Sequence, residues 1–137
     1  MLKIAKSVEY ALLALKYISE NSNGRTVSTS EISDKLDIPY ELLAKIMQHL
    51  NRNEMIISQQ GTKGGYTLNQ LPENISFKSI LDALDYKIQM TDCLVDKPTK
   101  DDCKRVENCF LRNPISKIQD NVEKLFAETT LKNIITQ

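Results

Sequence analysis

The sequence of 137 residues lacks any apolar run that approaches the length of a membrane span. This absence excludes a transmembrane helix, which needs about 20 consecutive apolar residues. The opening stretch MLKIAKSVEYALLALKY carries charges among its apolar residues and has no small-residue cleavage site, so we expect no signal peptide. Glycine and proline are scarce, with four of each, and no low-complexity tract is present. We therefore expect one globular chain in the cytoplasm, where thiols stay reduced.

An excess of basic charge is also lacking. The 18 Lys and Arg residues are balanced by 18 Asp and Glu residues, which gives a net charge of zero. Nucleic-acid-binding proteins usually carry a basic surface that neutralises phosphates. The overall charge therefore gives no support to DNA binding, and such a function has to be argued from local patterns.

Cysteine is rare, but its three copies all lie in one charge-rich segment, 93–109, with the sequence CLVDKPTKDDCKRVENC. An odd count argues against a closed disulfide framework. The spacing C-x9-C-x5-C contains no C-x2-C pair, which disfavours a four-ligand zinc site and excludes a C-x-x-C dithiol enzyme. Three thiolates can hold an iron–sulfur cluster if another group supplies the fourth bond. The spacing alone leaves cluster, zinc and thiol chemistry open.

The first half of the chain has helical periodicity. Residues 7–20 place their apolar side chains on one face, and Gly24 marks the stop of this first helix. Ser28 followed by Glu31 predicts a capping box at the start of a short second helix. A third helix is predicted after Pro39. Its expected buried stripe consists of Leu42, Leu43, Ile46, Met47 and Leu50.

The following stretch, MIISQQGTKGGYTL, changes to a β-prone pattern with a glycine-rich centre, which predicts a hairpin. The order helix, helix, turn, helix, hairpin is that of a winged helix-turn-helix. An α+β domain without a DNA role would have the same elements. The short second helix, the four-residue turn LDIP and the immediate hairpin favour DNA binding.

The third helix is expected to enter the major groove, because its first turn follows the tight turn. Glu41 could accept from cytosine, Gln48 could pair with adenine, and Lys45 could reach guanine or a phosphate. The wing residues flank glycines and suit phosphate or minor-groove contacts. A solvated surface is the alternative for each side chain. The predicted DNA-binding residues are Tyr40, Glu41, Ala44, Lys45, Gln48, Gln59, Gln60, Thr62 and Lys63.

The second half is predicted to contain a fourth helix capped by Ser76 and a longer helix opened by Pro114. Apolar residues of the longer helix recur at spacings of 3, 4 and 3, as in a coiled-coil seam, so we expect a homodimer. Burial within the same chain is the alternative. The predicted dimerisation residues are Ile115, Ile118, Val122, Leu125 and Phe126.

The predicted fold is therefore mainly α with a small β-hairpin wing. We divide the chain into a winged helix-turn-helix DNA-binding domain (1–75), a connecting helix with the cysteine segment (76–112), and a dimerisation helix with its tail (113–137).

Two stretches carry a resemblance to a known family, IPYELLAKIMQHL in the third helix and GTKGGYTL in the wing. With the three cysteines and the long helix behind them, they resemble the IscR/NsrR-like winged-helix regulators, the bacterial sensors of iron–sulfur status and nitric oxide. The resemblance covers nearly the whole chain. It implies a homodimeric transcription factor, most often a repressor, that binds an imperfect palindrome in double-stranded DNA. It also implies no enzymatic activity, no small-molecule substrate and no membrane partner.

The resemblance further implies an iron–sulfur cluster held by Cys93, Cys103 and Cys109, with 4Fe–4S favoured over 2Fe–2S for three cysteines. The first cysteine interval is nine residues here and five in the family. Arg112 stands where the IscR-like branch has a histidine, and arginine cannot ligate iron. The NsrR-like arrangement is closer, and it implies Glu9 of the first helix as the fourth ligand, donated across the dimer.

Other functions stay open at this point. A carboxylate at Glu9 would also complement the helix dipole without binding metal. A cluster-free thiol or zinc sensor could use the same DNA-binding scaffold. A dimeric protein-interaction module would have no DNA role, and an oxidoreductase carrying the cluster lacks identifiable substrate-site residues.

Overall fold

The computed structural model describes residues 2–136, and within them the chain is mainly helical with one two-stranded antiparallel sheet. The elements are α1 (Lys6–Asn21), α2 (Thr29–Leu36), α3 (Tyr40–Arg52), β1 (Ile56–Gln59), β2 (Gly65–Leu68), a 3₁₀ helix (Pro72–Asn74), α4 (Phe77–Ala83), α5 (Arg112–Glu128) and α6 (Leu131–Ile135). The predicted fold class is confirmed. The division into three regions stays a prediction, and its outer limits, Met1 and Gln137, lie outside the described residues. In the part that is described, no helix combines the length and apolarity needed to cross a membrane.

The core lies where α1 and α3 pack together, and α2, α4, α6 and the hairpin close its sides. Each fully buried aliphatic side chain stabilises the fold by roughly 1.5–3 kcal/mol relative to an exposed one. The largest fully buried side chains are Val8, Leu15, Ile18, Val27, Ile32, Leu43, Met47, Leu50, Ile56, Ile75, Ile80 and Leu131.

Two serines begin helices as the sequence predicts. The Ser28 hydroxyl accepts a hydrogen bond from the Glu31 backbone N–H at 3.1 Å, and the Ser76 hydroxyl accepts from Ser79 N–H at 3.0 Å. Such a cap is worth about 1 kcal/mol. The predicted capping box is only half formed. Its second contact, from the Glu31 side chain back to the Ser28 backbone N–H, was predicted wrongly, because the Glu31 carboxylate binds other partners, described below.

The turn between α2 and α3 is fixed by local contacts. Asp37 adopts the left-handed conformation, with φ of 52°, and ends α2. The Ser33 hydroxyl donates to the Ile38 carbonyl at 2.6 Å. Because Leu36 belongs to α2, the turn contains three residues instead of the four predicted.

One member of the predicted apolar stripe of α3 is misplaced. Leu43, Ile46, Met47 and Leu50 are buried, but Leu42 is 37% exposed. At 100° per residue the four buried side chains span an arc of about 100°, and Leu42 falls outside its edge. Apolar character alone therefore overestimated the width of the buried face.

The hairpin pairs β1 with β2 from Ile56 opposite Leu68 to Gln59 opposite Gly65. Val27, from the loop before α2, adds a third backbone pairing to this sheet. Its N–H donates to the Tyr66 carbonyl at 2.9 Å, and Tyr66 N–H donates to the Val27 carbonyl at 2.8 Å. This contact, which the sequence did not predict, joins the wing to the helix-turn-helix.

Backbone hydrogen bonds also attach the C-terminal end of α5 to the core. Phe77 N–H donates to the Thr129 carbonyl, and Leu131 N–H donates to the Ile75 carbonyl, both at 2.7 Å. Leu131 is fully buried at the start of α6, so this last short helix packs against the core.

Candidate DNA interface and cysteine segment

The side of α3 that faces away from the core carries the predicted DNA-reading residues. Tyr40, Glu41, Lys45 and Gln48 are exposed, and Ala44 is half-buried. They lie opposite the buried stripe, so one helix surface stays accessible to a duplex. The structure thus brings these five residues together on one face, as the sequence predicts.

The predicted wing residues Gln59, Gln60, Thr62 and Lys63 are all exposed around the end of the hairpin. Gly61 adopts a φ of +114°, a conformation that favours glycine. The N–H of Gly64 donates to the Gly61 carbonyl at 3.0 Å and closes the turn. The wing tip (residues 60–64) is therefore a tight, polar projection.

A charged network that the sequence did not predict lies at the start of α2. The Arg25 guanidinium donates to both Glu31 carboxylate oxygens at 2.8 Å, and the Tyr17 hydroxyl donates to the same carboxylate at 2.6 Å. The hydrogen bonds from Arg25 and Tyr17 lower the pKa of Glu31 from 4.5 to about 2. Hydrogen bonding to Glu31 raises the pKa of Tyr17 above its ordinary value. The network joins α1, α2 and the loop between them.

The segment 93–109 contains no regular helix or strand, and its three cysteines are free thiols. Cys93 is buried, with 7% of its surface exposed, and Cys103 and Cys109 are partly buried. The Thr91 hydroxyl lies 3.3 Å from the Cys93 sulfur. Hydrogen bonds within short turns hold the rest of the segment. In one of them, Val106 N–H donates to the Cys103 carbonyl at 3.1 Å.

The predicted ligands are not brought together within one chain. Among residues 2–136, no three His, Cys, Asp or Glu side chains converge as a metal site would require. The Glu9 side chain is 42% exposed in the first turn of α1 and pairs with Lys6 at 2.7 Å. Of the acids in the cysteine segment, Asp102 accepts from Thr99 N–H at 2.8 Å. The ligand set therefore stays a prediction.

Two hydrogen bonds that involve side chains connect the stem of the cysteine segment, residues 86–92, with α1 and α5. The hydroxyls of Ser7 and Tyr86 lie 2.9 Å apart, which joins the stem to the first turn of α1. Met90 N–H donates to the Gln119 side-chain oxygen at 2.9 Å, which joins it to α5. A cleft of about 360 Å³ lies between the stem, α4 and α5.

The helix α5 leaves much of its apolar stripe uncovered. Ile118 is 47% exposed and Leu125 is 59% exposed, whereas Ile115, Val122 and Phe126 are partly buried. Phe126 packs edge to face on Phe77 of α4, with ring centroids 4.7 Å apart. None of the residues of α5, all of which the structure describes, is fully buried.

Known proteins similar to this chain are transcriptional regulators. The model of the Rrf2 family, described as "Iron-dependent Transcriptional regulator", matches residues 4–137. A protein of Aquifex aeolicus that is named as an HTH-type transcriptional regulator is 31% identical to this chain, over 94% of this chain and 88% of its own length. NsrR of Oceanobacillus iheyensis is 25% identical over 98% of this chain and 90% of its own length. IscR of Erwinia tasmaniensis is 21% identical over 98% of this chain and 79% of its own length.

Solved structures share the fold. CymR, the global cysteine regulator of B. subtilis, superposes with a TM-score of 0.73 at 21% identity and covers 99% of this chain and 98% of its own. IscR of T. potens superposes with a TM-score of 0.71 at 18% identity, and the match covers 98% of this chain and 86% of the IscR chain. The family match spans every described helix and strand, and its members regulate transcription and are not enzymes. The chain therefore belongs to the Rrf2 family of winged-helix, DNA-binding transcriptional regulators.

Proposed function

We propose that the protein is a homodimeric repressor that binds an imperfect palindrome and responds to an iron–sulfur cluster held by its cysteine segment. The observation that carries the proposal is the position of the three thiols. They lie immediately before a helix whose apolar stripe is uncovered, in a chain whose DNA-reading surface is accessible. A change in the segment can therefore reach a subunit contact and, through it, the spacing of two α3 helices. A cytoplasmic location agrees with this role.

Dimerisation through α5 is supported by the exposure of Ile118 and Leu125. Exposed apolar side chains in a seven-residue repeat usually pack against a partner helix, because pairing removes their surface from water. Phe110 and Leu111, just before α5, are also exposed and would extend the apolar surface. A twofold arrangement would present two copies of α3 to two half-sites of one duplex.

The donor set fits an iron–sulfur cluster in its chemistry. Cys93, Cys103 and Cys109 are free thiols, and thiolates are the usual ligands of such clusters. Bound there, a cluster would supply an iron centre reactive toward nitric oxide, oxidants or changes in iron supply. The irregular backbone of the segment allows the thiols to approach one another without unwinding a helix. We assign the fourth ligand to the Glu9 carboxylate of the partner chain, with a 4Fe–4S cluster favoured.

A cluster-free thiol or zinc sensor on the same scaffold is the second candidate. It is supported by the separation of the three thiols within one chain and by the similarity in fold to CymR, whose description is that of a cysteine regulator. In this function the partly buried Cys103 and Cys109 would react directly, without a metal centre.

Anaerobic purification separates the two functions. The cluster proposal predicts brown protein with visible absorption, and with iron and acid-labile sulfide in equal amounts. Changing any one of Cys93, Cys103 or Cys109 to Ala should lower both contents. Colourless protein that binds the same operator, with zinc or with neither metal, would refute the cluster and leave the DNA-binding role intact. A variant that keeps full iron content would remove its cysteine from the ligand set.

The Glu9 assignment has a matched control within α1. Glu20 pairs with Lys16 at 3.1 Å, much as Glu9 pairs with Lys6. Glu9→Ala should keep the dimer and most of the iron but change the visible spectrum and the rate of reaction with nitric oxide. Glu20→Ala should match the parent in all of these properties. If both variants match the parent, the fourth ligand is another group, with Asp92 or Glu107 as the next candidates.

A further inference from the structure

The wing tip has one cation, and its backbone is held from outside the hairpin. Lys63 is the sole basic residue between Arg52 and Lys78. Its carbonyl oxygen accepts a hydrogen bond of 2.6 Å from the hydroxyl of Thr26, a residue of the loop between α1 and α2. This contact connects the one group of the tip that can bind a phosphate electrostatically with the helix-turn-helix.

Both neighbours of Thr26 are themselves fixed. On one side, the Arg25 guanidinium is bound to both oxygens of Glu31 in α2. On the other, Val27 is fully buried and exchanges two backbone hydrogen bonds with Tyr66 of β2. Because the chain is anchored immediately before and after it, Thr26 presents its hydroxyl from a defined position.

The close packing of the hairpin on this loop is consistent with the contact. A Cβ atom at Gly65 would lie 2.7 Å from the Val27 carbonyl oxygen, closer than side chains tolerate. The backbone of β2 therefore approaches the loop as near as it can, and only glycine permits this. At Lys63, the main chain of the tip is close enough to the loop for the Thr26 hydroxyl to reach the Lys63 carbonyl.

Gly61 and Gly64 have no side chain to restrict the main chain of the tip, so contacts from outside it matter for its position. A side chain that samples many positions loses that freedom when it binds, and the loss opposes association. A hydrogen bond to the main chain at Lys63 restricts the tip before DNA arrives. The Lys63 side chain then extends from a main chain whose position relative to α3 is already fixed.

We propose that Thr26 is a positioning residue for DNA binding, whose hydroxyl holds the wing tip so that the Lys63 ammonium reaches a backbone phosphate. The inference rests on the proposed DNA-binding function and on the contact of the wing with DNA that the sequence predicts, and it adds a residue that makes no DNA contact itself. It predicts that Thr26 affects affinity only through Lys63.

The test uses four variants of the full-length protein: Thr26→Val, Thr26→Ser, Lys63→Ala, and the double change Thr26→Val with Lys63→Ala. Valine keeps the branched shape and removes the hydroxyl, whereas serine keeps the hydroxyl. Each variant is titrated by fluorescence anisotropy against a labelled duplex that the parent protein has selected from random-sequence DNA. The titration is repeated over a range of salt concentrations, and thermal unfolding verifies that each variant is folded.

Lys63→Ala should weaken binding and reduce the slope of log affinity against log salt by about one for each wing, because one phosphate contact is lost. Thr26→Val should reproduce a part of both effects, and Thr26→Ser should restore the parent values. The double variant should bind like Lys63→Ala alone. A general loss of stability would not change the salt slope in this manner.

Three results would overturn the inference. If Lys63→Ala binds like the parent, the wing makes no phosphate contact, and DNA binding through α3 stands without it. If Lys63→Ala binds less tightly but Thr26→Val does not, only the role of Thr26 fails. If the losses add in the double variant, Thr26 acts by a route that does not involve Lys63.

Discussion

Glu31 shows how one side chain can hold several elements together near the DNA-binding surface. Its carboxylate is bound by Arg25 and by Tyr17, so it ties the loop before α2 to the C-terminal part of α1. Ion pairs on a protein surface contribute little on average, but a bidentate guanidinium with a further hydroxyl donor belongs to the stronger class. Arg25 is also the residue that precedes Thr26.

The depressed pKa of Glu31 predicts a pH-dependent contribution to stability. A carboxyl group with a pKa of about 2 in the folded chain and 4.5 in the unfolded chain stabilises the fold fully above pH 4.5. This contribution is lost as the pH falls from 4.5 toward 2. The difference in unfolding free energy between the parent and Glu31→Gln, measured with urea, should therefore shrink between pH 5 and pH 3. A difference that stays constant over this range would show that the charge of Glu31 contributes nothing.

Two residues of α3 should differ in their effects on DNA recognition. Gln48→Ala should cost about 1–3 kcal/mol at one base pair and relax specificity there, because glutamine reads base edges.

Lys45→Ala should weaken binding to all duplexes and lower the slope of log affinity against log salt if Lys45 contacts a phosphate. If Lys45 reads a base, the variant should instead lose a preference for guanine. Mobility-shift titrations against substituted operators measure both effects. Lys16→Ala, on the exposed side of α1, is the control, and equal affinity of the parent for every duplex would refute sequence-specific recognition.

At the scale of elements, α5 is attached to the rest of the chain mainly through α4. Its contact includes the edge-to-face pair of Phe77 and Phe126. Such pairs contribute about 0.5–1.5 kcal/mol beyond the burial of their area. One side of α5 therefore serves the fold of its own chain, and the side with Ile118 and Leu125 is left exposed.

Phe126→Ala should loosen α5 from α4. Complete burial of a phenylalanine makes its removal cost 3–5 kcal/mol, so a partly buried one should cost roughly 1–3 kcal/mol in unfolding free energy. Chemical denaturation measures this loss, and Lys124→Ala on the exposed side of the same helix should change little. An unchanged midpoint for Phe126→Ala would mean that the aromatic pair does not hold the helix.

The elements that could be predicted from the sequence are those with local causes. Ser28 and Ser76 cap helices because a side-chain oxygen three residues before a free N–H suffices, and the glycine-rich centre of the hairpin dictates a turn. The contacts of Arg25 with Glu31 and of Thr26 with Lys63 depend on how distant segments meet, and no periodicity encodes them. The same reason explains why three neighbouring cysteines did not reveal how their thiols are arranged.

At the scale of the whole molecule, the uncovered stripe of α5 predicts the oligomeric state. Replacing Ile118 and Leu125 together by Glu should give monomers that no longer bind operator DNA. Burying two carboxylates at a twofold contact costs several kcal/mol per charge, which is comparable to the stability of a modest dimer. Sedimentation velocity and mobility-shift assays measure the two outcomes. The variant with Lys117→Glu and Lys124→Glu places two glutamates on the same helix outside the stripe and should remain a dimer; a dimer in both cases would rule out this contact.

The backbone hydrogen bond from Phe77 N–H to the Thr129 carbonyl fixes the C-terminal end of α5. The helix has 17 residues and is therefore about 25 Å long, with Thr129 as the pivot and Cys109 near the far tip. Rotation of a helix of this length by about 5° about Thr129 moves its far end by roughly 2 Å. The geometry also works in reverse. In the proposed dimer, a displacement of about 2 Å at the thiols would turn α5 by about 5° and so change the angle at which two recognition helices meet half-sites about 34 Å apart. In that proposed dimer, the length of α5 would set how large a change of fit to DNA follows from a given movement at the cysteines.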